Sequence, residues 1–230
     1  MTWKSKRSKE TDKLVNVDEV YSLANAIETL KKCPKPKFDE SVDLSVVLGV
    51  DPKKADQQVR GTVSLPNGTG KTIKLLVFAK GEMAKDALDA GADYAGADEL
   101  IKKVKGGWTD FDAVVTTPDM MREVGKLGKI LGPRGLMPTP KAGTVTKDVS
   151  KAVKEVKAGK IEFKVDKNSS VNNALGKLSF EDSKLMENIS VFLSAIMRAK
   201  PATSKGAYLK SLVLSTTMGP GLKIDANSIS

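Results

Sequence analysis

Histidine is absent from all 230 residues, and cysteine occurs once, as Cys33. The first absence excludes serine–histidine and cysteine–histidine nucleophile pairs, histidine metal centres and histidine acid–base catalysis. The second excludes an intrachain disulfide and a multi-cysteine zinc site. Aromatic residues make up only 5%, so platforms for stacking bases are few. No apolar run reaches the roughly eighteen residues a membrane helix needs, so no membrane partner is expected. The opening MTWKSKRSKE lacks the apolar middle of a secretory signal, which predicts a cytoplasmic chain. What is abundant is positive charge. Lys and Arg number 38 against 28 Asp and Glu, a net of +10. A surplus of this size points to a polyanion, nucleic acid before anionic membrane. The 40% hydrophobic content is enough for one large domain or two modest ones.

Along the chain the patterning changes style twice. The basic tail with Lys4, Lys6, Arg7, Lys9 and Lys13 reads as solvated and disordered, or as an arm that orders on phosphate. Val17 to Lys32 carries Val20, Leu23, Ala24, Ile27 and Leu30 at helical spacing, and Cys33-Pro34-Lys35-Pro36 stops it. Ser41 to Val50 and Val59 to Leu65 alternate apolar and polar residues, as antiparallel strands with one wet face do. From Ile73 the style becomes buried strand and helix in turn. Strands are expected at Ile73–Phe78 and Phe111–Val115. Helices are expected at Gly81–Ala90, Asp98–Lys105, from Thr117-Pro118-Asp119 onward, and at Lys147–Ala158. Alternation returns at Ile161, Phe163 and Val165, with Leu178 and Phe180 continuing a hairpin. A helix over Glu181–Lys200, a strand over Leu209–Thr217 and a short strand at Leu222 and Ile224 close the chain.

This pattern predicts an α/β (α+β) protein of two domains. Domain one takes residues 1–66 and 160–230 from both ends, and domain two, residues 67–159 with a parallel sheet, is inserted. Asn67, Gly68, Gly70 and Gly159 are the expected hinge. Three successive modules are the rival arrangement. Acids of domain two cluster between Glu82 and Asp112, which leaves its basic face at Lys126 to Lys157.

Three segments invite a chemical reading. Asn67-Gly68-Thr69-Gly70-Lys71-Thr72 imitates a nucleotide-binding loop, but that pattern requires glycine at position 65, which is leucine, and a helix afterwards rather than a strand. Gly125 to Thr146 has five-fold glycine and three prolines without one acid; its backbone amides, Lys129, Arg134 and Lys141 suit a phosphate backbone, and its prolines argue against helix. Thr203-Ser204-Lys205-Gly206 and Ser215-Thr216-Thr217-Met218-Gly219-Pro220 line a strand edge with hydroxyls and lysines, a match for ribose and phosphate. Carboxylate pairs such as Glu181-Asp182 and Asp98-Glu99 fit first-turn dipole matching better than catalysis or metal binding. Lysines near Cys33 predict a somewhat acidified thiol. A nucleotide-dependent enzyme built on the insert is the alternative class, and no G-x-G-x-x-G after a strand supports it.

Lys129-Ile130-Leu131-Gly132-Pro133-Arg134-Gly135-Leu136-Met137-Pro138 resembles the signature of the bacterial ribosomal protein L-one family, the side-stalk protein of the large subunit. Lys37 to Val42, Asp56 to Pro66, Lys157 to Phe163 and Ser215 to Pro220 resemble family segments in the same order, so the likeness spans nearly the whole chain. It implies a mainly antiparallel α/β sandwich with a hinged, Rossmann-like three-layer insert. It further implies a non-enzymatic role without cofactor or metal. The implied partners are side-stalk ribosomal RNA, transfer RNA leaving the exit site, and the messenger of the protein's own operon. Free of the large ribosomal subunit, the protein is expected to be a monomer.

The family's RNA contacts fall on Phe38, Glu40, Ser41, Ser211, Thr216, Thr217, Met218 and Gly219 of this sequence, with Lys177 carried over as well. Ser41 replaces the threonine of many relatives and keeps the hydroxyl without the methyl. Lys37, Lys167 and Lys205 are expected to add salt-dependent phosphate contacts. Lys129, Arg134 and Lys141 form the secondary contact on domain two.

Overall fold

The computed structural model describes residues 5–16, 19–204 and 206–225, apart from the side chain of Ala55. Its first elements are helix α1 (Lys6–Leu14), strand β1 (Val20–Tyr21), helix α2 (Leu23–Lys32), strands β2 (Ser41–Leu48), β3 (Arg60–Ser64) and β4 (Leu75–Phe78), and helix α3 (Glu82–Asp89). Strand β5 (Tyr94–Gly96), α4 (Asp98–Lys105), β6 (Ala113–Thr116), α5 (Met121–Val124) and α6 (Gly128–Leu131) follow. The chain finishes with α7 (Val149–Lys157), β7 (Lys160–Lys164), β8 (Ser170–Lys177), α8 (Asp182–Arg198), β9 (Leu209–Thr216) and β10 (Gly221–Ile224). It divides into two compact units, Met1–Gly70 with Glu162–Ser230, and Lys71–Ile161.

In the first unit five strands run in the order β1-β10-β9-β2-β8. Strand β2 is central and pairs antiparallel with β8 and β9. Its alternation is complete: Val42, Leu44, Val46 and Leu48 are buried, and Ser41, Asp43, Ser45 and Val47 are half-buried. On the sheet's covered face α2, which buries Ala26, Ile27 and Leu30, lies against β9 and β10, and α8, which buries Leu185, Ile189, Phe192, Leu193 and Ile196, lies against β8 and α2. Fully burying each such side chain contributes about 1.5–3 kcal/mol, which makes this stripe the main source of the unit's stability. Strands β3 and β7 make a separate pair, with α8 against β3.

The second unit is a parallel sheet in the order β5-β4-β6. All four residues of β4 are buried, as a strand covered on both faces requires. Leu75 and Val77 pack with Ala87 of α3 and Val149, Ala152, Val153 and Val156 of α7. Leu76 and Phe78 face the other way, onto Leu100, Ile101 and Val104 of α4 and Met120, Val124, Leu127 and Leu131 beyond β6.

Several local expectations are corrected. Residues Lys6–Leu14 of the basic tail form a helix rather than a disordered segment, capped where the Ser5 hydroxyl accepts the Ser8 amide. The helix expected from Val17 begins at Leu23, because Ser22 caps it and Val20–Tyr21 instead pair parallel with Lys223–Ile224; Val17 itself lies outside the described residues. Strand β8 precedes Leu178 and Phe180 rather than including them, entered through a turn with Ser169 at φ 62°. The glycine-rich segment is helical as far as Leu131 despite its prolines, all of which come later. At Gly132 the helix must stay bare: a Cβ there would lie 2.5 Å from the Gly128 carbonyl oxygen. The crossings between units fall after Gly70 and after Ile161. Asn67 and Gly68 are pinned to the first unit by Asn188 of α8, which accepts the Asn67 amide at 3.2 Å and donates to the Gly68 carbonyl at 3.0 Å.

Candidate nucleic-acid interface

At the Ser41 end of the central sheet three chain segments meet: residues 38–41, 177–179 and 216–219. Strand pairing alone brings them together, since Ser41 is in register with Lys177 and Val42 with Thr216. Side chains then lock the junction. The Ser41 amide donates to the Thr217 hydroxyl at 3.1 Å, and the Thr217 amide returns to the Ser41 carbonyl at 3.2 Å. Lys177 Nζ donates to Ser41 Oγ at 3.0 Å and to the Asp39 carbonyl at 3.4 Å. Asp39 accepts both the amide and the hydroxyl of Ser179, at 3.2 and 2.8 Å.

Glu40 and Thr216 support this rim from within. Glu40 is 5% exposed, and its carboxylate accepts the Met218 amide at 3.0 Å. Thr216 is buried, and its carbonyl accepts the Gly219 amide at 3.1 Å. A Cβ on residue 219 would lie 2.2 Å from the Thr216 hydroxyl, so only glycine fits the turn. Glu40 and Thr216 are largely buried and position their neighbours, so most of the surface the rim presents belongs to other residues.

The surface these residues present is mixed. Phe38 and Met218 are large, apolar and more than half exposed, at 53% and 54%. Around them lie the Thr217 and Ser41 hydroxyls, exposed Lys37, and Lys177, which makes no ion pair among the described residues. Apolar wedges within a ring of hydroxyls and cations suit an irregular RNA backbone better than a flat duplex. Burial raises the Asp43 pKa, with the nearby Lys177 ammonium opposing it. Cys33 is also corrected: burial first and Glu40 second push its thiol up, not down, and Sγ donates to the Thr29 carbonyl.

Not every expected residue joins the rim. Ser211 is in register with Val47, at the opposite end of β2. Lys167 sits there too, in the turn before Ser169, whose carbonyl accepts the Leu48 amide. Strand β2 has eight residues in all, and Ser41 and Val47 stand six steps, about 20 Å, apart along it. Lys205 lies outside the described residues. Near Lys167 is a cleft of about 420 Å³ lined by Pro52, Gln58, Arg60, Lys164 and Asp166 among others. Arg60 and Lys164 are exposed, make no ion pair among the described residues, and were missed in the sequence because each reads as an ordinary wet-face residue of an alternating strand. In the second unit Lys129, Arg134 and Lys141 are all exposed. Leu131, Leu136 and Met137 turn into the core around them, and Arg134 donates to the Thr109 hydroxyl.

A model of the ribosomal protein L1p/L10e family matches residues 30–220. The chain belongs to that family. It is 67% identical to the large ribosomal subunit protein uL1 of Protochlamydia amoebophila over 96% of this chain and 94% of that protein. Identity to the protein of the same name from Chlamydia caviae is 58%, over 100% and 99% of the two. The family match covers the rim, the basic cleft and the glycine-rich segment alike. Among the described residues no cluster of three acidic or cysteine side chains is arranged to hold a metal. No described helix is long and apolar enough to cross a membrane.

Proposed function

We propose that the chain is a structural protein of the large ribosomal subunit in the cytoplasm, and that its rim binds the side-stalk segment of ribosomal RNA by shape without chemistry on the RNA. The observation that carries this reading is the junction of residues 38–41, 177–179 and 216–219. It brings the exposed side chains of Phe38 and Met218 and an ammonium without an ion pair among the described residues onto one rim, where hydrogen bonds tie Ser41 to Thr217, Lys177 to Ser41 and Met218 to Glu40. Such preorganisation lowers the entropy cost of binding. The test is affinity for a side-stalk RNA fragment against scrambled RNA of equal length. Preference for the fragment is expected, with a salt slope of roughly four to seven phosphate contacts; equal affinity refutes the reading.

A second RNA follows from the second basic surface. With the rim occupied, Arg60, Lys164 and Lys167 stay open at the far end of the sheet. Transfer RNA leaving the exit site is the partner proposed for them, and the protein would assist its departure by holding it. The rim itself is proposed to recognise a messenger site of similar shape and so repress the protein's own operon. Competition between stalk RNA and messenger for one binding site tests that part: simultaneous binding would rule it out.

A further inference from the structure

The insert has a crevice that the RNA interface leaves unused. Strands β4 and β6 are parallel neighbours, with Phe78 in register with Thr116. After β4 the chain turns to the face covered by α3 and α7; after β6 it turns to the face of α4 and α5. Adjacent strands whose carboxyl ends lead to opposite faces open a crevice, and in open α/β sheets ligands bind there. A cavity of about 290 Å³ occupies this place, lined by Lys80, Glu82, Met83, Thr117 and Asp119.

Its chemistry is specific. Thr117 is 3% exposed and lines the cavity, yet its hydroxyl makes no hydrogen bond to any described residue, not even as the cap of the turn that follows. Among the described residues the Thr117 hydroxyl is not a sealed, unpartnered atom, so it is open through the cavity and available to a ligand. Helix α3 opens on the cavity at Gly81, with φ 60°, no side-chain cap, and nothing within 4 Å of where a Cβ would stand. Backbone is therefore open to close approach. Glu82 and Asp119 are exposed carboxylates without ion pairs among the described residues, and Lys80 lies 3.9 Å from Glu123. Two free carboxylates repel phosphate but accept hydrogen bonds from neighbouring sugar hydroxyls, as the acidic residue of dinucleotide-binding sheets does for ribose. Met83, 42% exposed, supplies an apolar flank for a base.

We infer that this crevice binds the cis-diol of an unphosphorylated ribose, with Glu82 and Asp119 accepting its hydroxyls, Thr117 completing the polar set and Met83 against the base. The site belongs to the second unit and stands or falls apart from the rim.

The experiment follows backbone amides of Gly81, Met83 and Thr117 in the full chain by NMR while adenosine or 2′,3′-dideoxyadenosine is added. Saturable shifts with adenosine and none with the dideoxy compound are expected. Thr117→Val, nearly isosteric, and Glu82→Gln, at the surface, should each weaken binding by about tenfold with the rest of the spectrum unchanged. Two short RNAs, one ending in a free diol and one in a 3′-phosphate, identify the source. Shifts with the diol RNA assign an RNA end, and shifts with adenosine alone assign a free nucleoside. Equal response to adenosine and its dideoxy analogue, no response to either, or undiminished binding in both variants overturns the inference.

Discussion

Glu40 holds Met218 across 178 positions of sequence, its buried carboxylate accepting the Met218 amide at 3.0 Å. One hydrogen bond thus fixes the most exposed apolar side chain of the rim to the entrance of the central strand. Replacing Glu40 by Ala leaves that amide without its acceptor. Unfolding in denaturant is expected to show a loss of about 1–3 kcal/mol, and affinity for stalk RNA should fall although the Glu40 side chain is largely buried.

Met218 is the converse case. Met218→Ala should weaken binding of the stalk fragment by about 1–3 kcal/mol with little change in thermal stability, whereas Thr217→Ala, which also removes the acceptor of the Ser41 amide, should weaken binding similarly and lower stability as well. Filter binding against wild-type and scrambled RNA checks this. A matching loss on both RNAs would assign the two residues to non-specific contact.

Lys177 couples the rim to a titrating group. The folded state raises the Asp43 pKa by burial, so it binds that proton more tightly than the unfolded chain does. Ionised Asp43 therefore costs stability once pH rises above the unfolded carboxylate range, and the cost is absent in acid. Lys177→Met removes the opposing positive charge. Carboxyl NMR titration should show the Asp43 midpoint moving higher still, and the salt slope of RNA binding should drop by about one contact. Asp43→Asn should stabilise the protein more at neutral pH than at pH 3.

The opposite sign holds in the insert. Hydrogen bonds from Lys71 Nζ and the Lys74 amide keep the Asp112 carboxyl below its ordinary value. Its contribution to stability is present above the unfolded carboxylate range and fades as pH falls through the depressed folded value. Asp112→Asn is expected to lower the insert's stability at pH 7 and to flatten its acid limb, as read by hydrogen exchange of β4 amides.

The two ends of the sheet should separate by partner. Arg60→Gln with Lys164→Gln is expected to leave stalk-RNA affinity unchanged while weakening transfer-RNA binding by about tenfold in moderate salt. Loss of both together would merge the two surfaces into one.

Patterning revealed most of the architecture because period and burial agree where one face is wet. The alternation of Val42, Leu44, Val46 and Leu48 placed β2, and Asp98–Lys105 emerged with both ends as expected. Elements that depend on distant partners were hidden. Strand β1 has two residues and exists through pairing with Lys223 and Ile224, so nothing local announces it. Helix α1 depends on a serine cap inside a charged run. For the site, residue types and family segments indicated which side chains to consider. They did not show that Ser211 and Lys167 stand a strand's length from Thr217, because only register decides that. Nor did they distinguish Glu40 from Phe38, neighbours in sequence with opposite exposure.

The discontinuous first unit carries a biosynthetic consequence. Strand β9 pairs with β2, and the last rim residues, Thr217 to Gly219, come after it. A polypeptide released early by a stalled ribosome has Phe38 and Ser41 but neither the strand that orders them nor the turn that Glu40 anchors. On the function proposed for the rim, such fragments lack a complete RNA-binding surface, and only chains translated nearly to the end would carry one.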